Sequence, residues 1–301
     1  MEEAAQDHHQ EAITFTDESA ALSSSTMDLP EPSPPRNLDE VEEILGYNFK
    51  NKSLLEEAFT HSSYYYTKDN DNNHGEAEIK CFSYERLAYL GDAVLNLLVT
   101  KEQFFLYPNF SSGRLTRLRA ANVDTEKLAR VAVKHRLHCY LRHKKPLLEE
   151  QINEFKKEIL EYPMHSNGLI DVPKGLADLV ESSIGAIFID SDSNIDTVWQ
   201  VFRRLLEPMI DAETIKTHPV TELYEVCQKL NLKVQFVNSW KDSKKVDVIV
   251  DNQLVGRGIC GSKREIAQNR AAQNALTKIQ TILSIKDHII TTTLDDDDIV
   301  D

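Results

Sequence analysis

Cysteine is scarce in this 301-residue chain: Cys81, Cys139, Cys227 and Cys260 lie far apart, with no Cys-x-x-Cys pair. That spacing suggests neither a disulfide framework nor a zinc ribbon, and it fits reduced thiols. Long apolar runs are missing too. A stretch such as IGAIFI at 184–189 falls well short of the ~20 residues a spanning helix needs, so no membrane partner is expected. The amino terminus, MEEAAQDHHQ, is acidic where a secretion signal would be basic and then apolar, and the expected location is intracellular, in the nucleus and/or the cytoplasm. Basic charge is in deficit as well, with 34 Lys and Arg against 49 Asp and Glu and a net charge of -15. A total of that sign argues against nucleic acid as a partner, until it is divided along the chain.

Residues 1–40 hold ten acids and one base, residues 41–215 hold 27 acids and 21 bases, and residues 287–301 hold six acids and no base. Residues 216–286 reverse the sign, with 12 bases and six acids. One basic block in an acidic protein points to a polyanion partner. Composition divides the chain at similar places. Residues 1–36 join acids, a serine run and the proline-dense LPEPSPPR, and read as a disordered arm that cannot bury enough apolar surface to order itself. Residues 287–301, with the run LDDDD, read as a solvated acidic tail.

Between these ends two textures alternate. From about residue 37 the apolar period is helical: Val41, Ile44 and Leu45 share a face, Asn51 is placed to cap a second segment, and periodic stretches follow at 84–105, 113–121, 124–142, 148–160, 174–190 and 194–211. Residues 67–80, rich in Asn and Asp, read as a polar loop. An all-α domain over 37–215 is predicted. After Pro219 an amphipathic segment (VTELYEVCQKLN) precedes the alternating runs VQFV, VDVIV and LVGRGIC and a long helix from Lys263 to about Leu283. The order α-β-β-β-α predicts an α+β module over 216–286, with both helices on one face of an antiparallel sheet.

Glu85, Ala88 and Asp92 in YERLAYLGDAVL stand at i, i+3 and i+7, one face of a helix, and Asp178 and Glu181 in GLADLVESSIGAIFID repeat the i, i+3 spacing. Their neighbours, among them Leu87, Leu90, Leu179 and Ile184, are apolar, so these acids border buried surface. Charged groups in such places need a partner or an ion. Hard divalent cations take oxygen ligands, and acids converging from two helices would supply them. Solvated acids paired to Arg86, Arg114 or Arg117 satisfy the same spacing, and spacing alone does not separate the two.

The string YERLAYLGDAVLNLL resembles the signature helix of the ribonuclease III family, whose usual form has a second Glu where Ala88 stands. The resemblance runs over roughly 37–286 and includes AFTHSSY, LRAANV, LADLVESSIGAIFID and the basic module; it is greatest to the plant ribonuclease III-like proteins, with one nuclease and one double-stranded-RNA-binding domain. It implies an endoribonuclease that cuts both strands of double-stranded RNA as a homodimer joined through the nuclease domain, with two Mg2+ ions (Mn2+ as substitute). Asp92, Asp178 and Glu181 match the family's metal-binding carboxylates, with Glu181 and Asp92 serving catalysis and Glu85 the neighbouring acid able to reach in. One metal activates water for in-line attack and the other stabilises the leaving 3' oxygen. Ala88 removes the fourth ligand, so two further readings stay open: a catalytically weak or inactive RNA-binding protein on the same scaffold, and a heterodimerising partner. His61 in AFTHSSY reads as a helix-end residue with a satisfied hydrogen bond rather than a ligand.

The basic module resembles a double-stranded-RNA-binding domain, a fold that spans ~16 base pairs and reads duplexes chiefly by shape. By that resemblance Thr221, Glu225 and Gln228 meet minor-groove hydroxyls, Lys244 and Lys245 form a basic loop, and Lys263 and Arg264 meet phosphates at the start of the last helix. The family's KKxAK motif, aligned on Ala267, keeps Arg264 but carries Glu265 and Gln268, and Lys263 stands in for the lost charge. Cys227, Tyr224 and Trp240 read as packing residues.

Overall fold

In a computed structural model of the chain, the structure describes residues 37–65 and 83–296, the last of them (284–296) by backbone alone. The acidic arm over 1–36, the whole loop at 67–80 and the final residues 297–301 lie outside the described residues. Among the described residues eight α-helices come first: α1 (Asp39–Leu45), α2 (Lys52–Ala58), α3 (Tyr84–Leu106), α4 (Ser112–Val123), α5 (Thr125–Lys134), α6 (Leu148–Glu158), α7 (Lys174–Asp190) and α8 (Ile195–Leu206). Short polar side chains start several of them. Asn51, Asp124 and Asn194 accept the backbone N–H groups of Ser53, Lys127 and Thr197 at 3.1, 2.7 and 2.9 Å, satisfying donors that the first turn leaves free.

α7 lies at the centre, packed by α2, α3, α5 and α8. Leu179, Val180, Ile184 and Ile187 are fully buried on it, each contributing about 1.5–3 kcal/mol of transfer free energy. Its small residues let neighbours come close. Gly185 sits where an added Cβ would stand 2.2 Å from the Leu87 carbonyl oxygen of α3, and Ser182 donates 2.7 Å to the Ala58 carbonyl at the end of α2. The helix expected over 124–142 is shorter. α5 ends at Lys134, Arg136 turns left-handed at φ 59°, and a 3-10 turn (Leu137–Tyr140) follows. At the stop His135 Nε2 bonds the Leu205 carbonyl at 3.0 Å, and Leu137 still reaches the core through the turn, so the apolar period outlasts the helix.

The second half has the predicted order: α9 (Pro219–Lys229), β1 (Val234–Ser239), a one-turn α10 (Trp240–Ser243), β2 (Lys245–Val250), β3 (Gln253–Ile259) and α11 (Arg264–Asp296). The strands form an antiparallel sheet in the order β1-β2-β3. Val246, Val248 and Val250 alternate inward onto Leu223 and Cys227 of α9 and Ala267, Ala271 and Ala275 of α11. Trp240 donates its indole N–H to the Cys260 carbonyl at 2.7 Å and packs on this core, as Cys227 does. α11 runs past Leu283 to Asp296, with no glycine or proline on the way to end it. Among the described residues no helix is long and apolar enough to cross a membrane.

Candidate active site

α3 and α7 cross backbone to backbone. A Cβ on Gly91 would stand 1.8 Å from the Glu181 carbonyl oxygen, so only glycine permits the approach that sets Asp92, the next residue, against the acids of α7. The effect on Glu181 is large: burial and then the charges of Asp178 and Asp92 push its carboxyl up to about 7. Burial and the two neighbouring acids both favour its neutral, protonated form. Asp92, Asp178 and Glu181 thus lie within electrostatic reach of one another.

Glu85 lies on the rim of the same place. Partial burial pushes its carboxyl up, but the hydroxyls of Ser83 and Ser62 and the His61 ring outweigh that and leave it below the usual range. Ala88, between Glu85 and Asp92 on α3, is buried and carries no oxygen toward the cluster. None of Arg86, Arg114 and Arg117 pairs with these acids. Lys174 does: its ammonium donates to Asp178, four residues on, and that bond holds the ammonium above its usual range. Asp92 is exposed and accepts from Asn96 Nδ2 at 2.8 Å.

Around the acids stand groups that their spacing did not reveal. Tyr84 is buried, and burial together with Asp178 and Glu85 pushes its hydroxyl pKa up, so it stays a neutral donor. His61 packs edge-on against Tyr84 at 5.4 Å, and its Nδ1 accepts the Ser63 N–H at 2.9 Å, the helix-end role its position suggested. Burial holds its pKa down, as do Lys145 and His143. The segment 142–145 thus runs beside His61, with Arg142 and Lys144 over the Tyr64 ring at 5.2 and 5.5 Å. The run LRHKK at 141–145 is visible as charge in the sequence; its closeness to residues 60–64 is not.

The donor set suits a hard divalent ion: three carboxylates, one of them pushed toward its protonated form by burial and by the others' charge, gain most from a cation in their midst. As arranged, no three His, Cys, Asp or Glu among the described residues converge closely enough to hold one. Lys174 occupies Asp178.

On the basic module Thr221, Glu225 and Gln228 share the exposed face of α9. Lys244 caps α10 in the left-handed region, φ 57°, with its ammonium 4.0 Å from the Trp240 ring centroid, and Lys245 opens β2, half buried. Arg264 pairs with its neighbour Glu265 at 3.2 Å. Lys263 pairs with Asp171 of the helical domain at 2.7 Å, and Arg270 and Asn269 of α11 donate to the Leu169 and Gly168 carbonyls at 2.7 and 2.9 Å. Lys263 is thus held against the helical domain; an exposed pair of this kind is worth about 0–1 kcal/mol and a phosphate can displace it.

Residues 85–192 match the model of the ribonuclease III domain, and residues 219–279 match the double-stranded RNA binding motif. Ribonuclease 3-like protein 3 of Oryza sativa subsp. japonica is 51% identical over 253 residues, 84% of this chain and 81% of that protein. Endoribonuclease Dicer homolog 1 of the same plant is 43% identical over 81% of this chain, which spans 13% of its length. A crystal structure of the nuclease domain of ribonuclease III from Campylobacter jejuni is 29% identical, covering 58% of this chain and 99% of its own, at a TM-score of 0.41.

Proposed function

The chain belongs to the ribonuclease III family, and from that premise we propose that it is an endoribonuclease that hydrolyses double-stranded RNA with divalent metal, Mg2+ or Mn2+, held by Asp178, Glu181 and Asp92. The observation that carries this reading is the Glu181 carboxyl, raised to about 7 by burial and by two neighbouring acids. Perturbed carboxyls of this kind cluster at functional sites, and stability alone gains nothing from crowding three acids. When bound, divalent ions supply the Lewis acidity that phosphodiester hydrolysis needs. Glu85 serves as the outer acid on the same face of α3. Lys174, now paired with Asp178, would give that carboxylate up to a bound ion. Arg142, Lys144 and Lys145 attract the phosphates of the duplex toward the acids. The module delivers the duplex through Thr221, Glu225, Lys244, Lys245, Lys263 and Arg264.

Dimerisation through the helical domain is part of the proposal. Tyr89, Leu97 and Phe104 are largely exposed at i, i+8 and i+15 along α3, beside Phe105, an apolar stripe that a second copy would cover. Ala88 and the Lys174 pairing favour one other reading, duplex binding without cleavage.

A cleavage assay on duplex RNA in Mg2+ and in Mn2+ decides between them. The wild-type chain is expected to cut, Asp178→Ala to slow cutting on the order of a hundredfold or more, and Ala88→Glu to speed it by restoring an oxygen ligand. A wild-type rate no faster than that of Asp178→Ala overturns the nuclease reading and leaves duplex binding.

A further inference from the structure

α4 of the helical domain, residues 212–218 and the start of α9 enclose a cleft of about 400 Å³. Phe110, Leu118 and Ile215 form an apolar floor, and Arg114, Arg117 and Lys216 stand around it. No carboxylate lines the cleft, in a chain where acids outnumber bases 49 to 34. Lys101, Arg203 and Arg257, by contrast, meet Asp196, Glu102 and Asp247 at 3.0, 3.2 and 2.6 Å. Among the described residues Arg117 and Lys216 have no ion pair, and the Arg114 guanidinium lies over the Phe110 ring, 3.8 Å from its centroid. Arg114 and Arg117 are one turn apart on α4, so both point to the same side. Three cations gathered without a counter-charge gain most from an anion that spans them.

The position of the cleft says which anion. Thr221 of α9 forms part of its wall, and from there the exposed face of α9 continues through Glu225 to Gln228. A duplex on α9 would leave that face at the cleft. His218 also lines it; burial holds its pKa below the ordinary range, so at neutral pH it is a neutral hydrogen-bonding partner rather than a fourth cation.

We propose that this cleft is an anion site for the phosphodiester backbone of duplex RNA, with Arg114, Arg117 and Lys216 taking phosphates of the duplex that lies along α9. The inference rests on the reading that the chain binds double-stranded RNA. Its consequence is a grip at the junction, which fixes where along the duplex the acids of α3 and α7 come to rest.

Salt titration tests it on the full chain, without divalent metal so that nothing is cut, with a blunt duplex of about 30 base pairs, longer than the ~16 that one module spans. The double variant Arg117→Ala, Lys216→Ala is expected to bind about tenfold more weakly at low salt and to lower the slope of log K against log salt by about 2, near 1 per lost phosphate contact. Its thermal midpoint should stay that of the wild type, because both side chains are exposed. Lys50→Ala, which removes an ammonium paired with Asp192 away from the cleft, should leave the slope unchanged. A double variant with the wild-type slope overturns this inference alone. A wild-type chain that binds no duplex overturns the RNA reading of the whole protein, and this site with it.

Discussion

In the helical domain α3 and α7 touch at Gly91 and Gly185, where an added Cβ would meet carbonyl oxygens at 1.8 and 2.2 Å; in the basic module β3 touches α11 at Gly256 and Gly258, where it would meet them at 2.3 and 2.0 Å. The two fastenings are alike, but what rides on them differs. Asp92 follows Gly91 directly, and Glu181 lends the carbonyl that Gly91 approaches, so the acids of the site share the tightest of these four glycine contacts. The cations of the module stand on a loop and at a helix end, away from Gly256 and Gly258. A site built on a backbone crossing cannot change without changing the fold, whereas a site built from exposed side chains can.

The largest effect should come from breaking the first crossing. Gly91→Ala improves helix propensity by about 1 kcal/mol, but it drives a methyl into the backbone of α7, and overpacking of this kind costs about 1–3 kcal/mol or more. Because the obstacle is backbone, which cannot rotate away, the upper end applies. A net loss of about 2 kcal/mol or more in urea unfolding, together with loss of cleavage, is expected. Gly258→Ala should instead abolish duplex binding while the secondary structure of the helical domain survives. If Gly91→Ala unfolds at the wild-type urea concentration and keeps its activity, fold and site are not coupled there.

α7 carries a second comparison within itself. Asp190, at its carboxyl end, is as buried as any acid of the site, yet it accepts the Tyr47 hydroxyl at 2.8 Å and the backbone N–H groups of Lys50 and Asn51 at 2.9 and 2.8 Å. Burial alone would raise its pKa; the donors outweigh it and hold the carboxyl below the usual range. Glu181 has acids for neighbours and rises. A lowered folded pKa means stability that is complete above the unfolded value of ~3.9 and is lost as pH falls through the lower folded value. Asp190→Asn should therefore cost about 2–3 kcal/mol at neutral pH, with the gap to the wild type closing below about pH 4. A gap that stays constant down to low pH would mean that the charge is not what the donors hold.

Both α3 and α7 were legible in the sequence because each keeps an apolar period over several turns and each sets two acids at helical spacing. Lys174 carried its own signal, four residues before Asp178. The depth of the crossing did not: YLGDA and SIGAI show two glycines, but nothing in either string says that they face each other. Arg136 was unreadable for a related reason, since the apolar period runs through it while its backbone turns left-handed. The pairing of Lys263 with Asp171 and the cleft between α4 and residues 212–218 join segments about a hundred residues apart, which local patterns cannot report. Ala88 was legible as a missing oxygen, and the structure adds that the methyl is buried.

The smallest change in stability should come from the module, at Lys244. Its left-handed backbone costs a lysine about 1 kcal/mol that glycine does not incur, while its ammonium over Trp240 returns about 0.5–1 kcal/mol. Lys244→Gly exchanges one for the other, and the extra freedom of glycine in the unfolded chain takes back a few tenths, so the thermal midpoint should hardly move. Duplex binding should still weaken a few-fold, with the salt slope lower by about 1. That pairing of an unchanged midpoint with a changed slope is what Gly91→Ala cannot produce, because its site and its fold fail together. If Lys244→Gly instead loses stability and binding in proportion, the cations of the module also serve its fold, and the two halves of the protein are built alike.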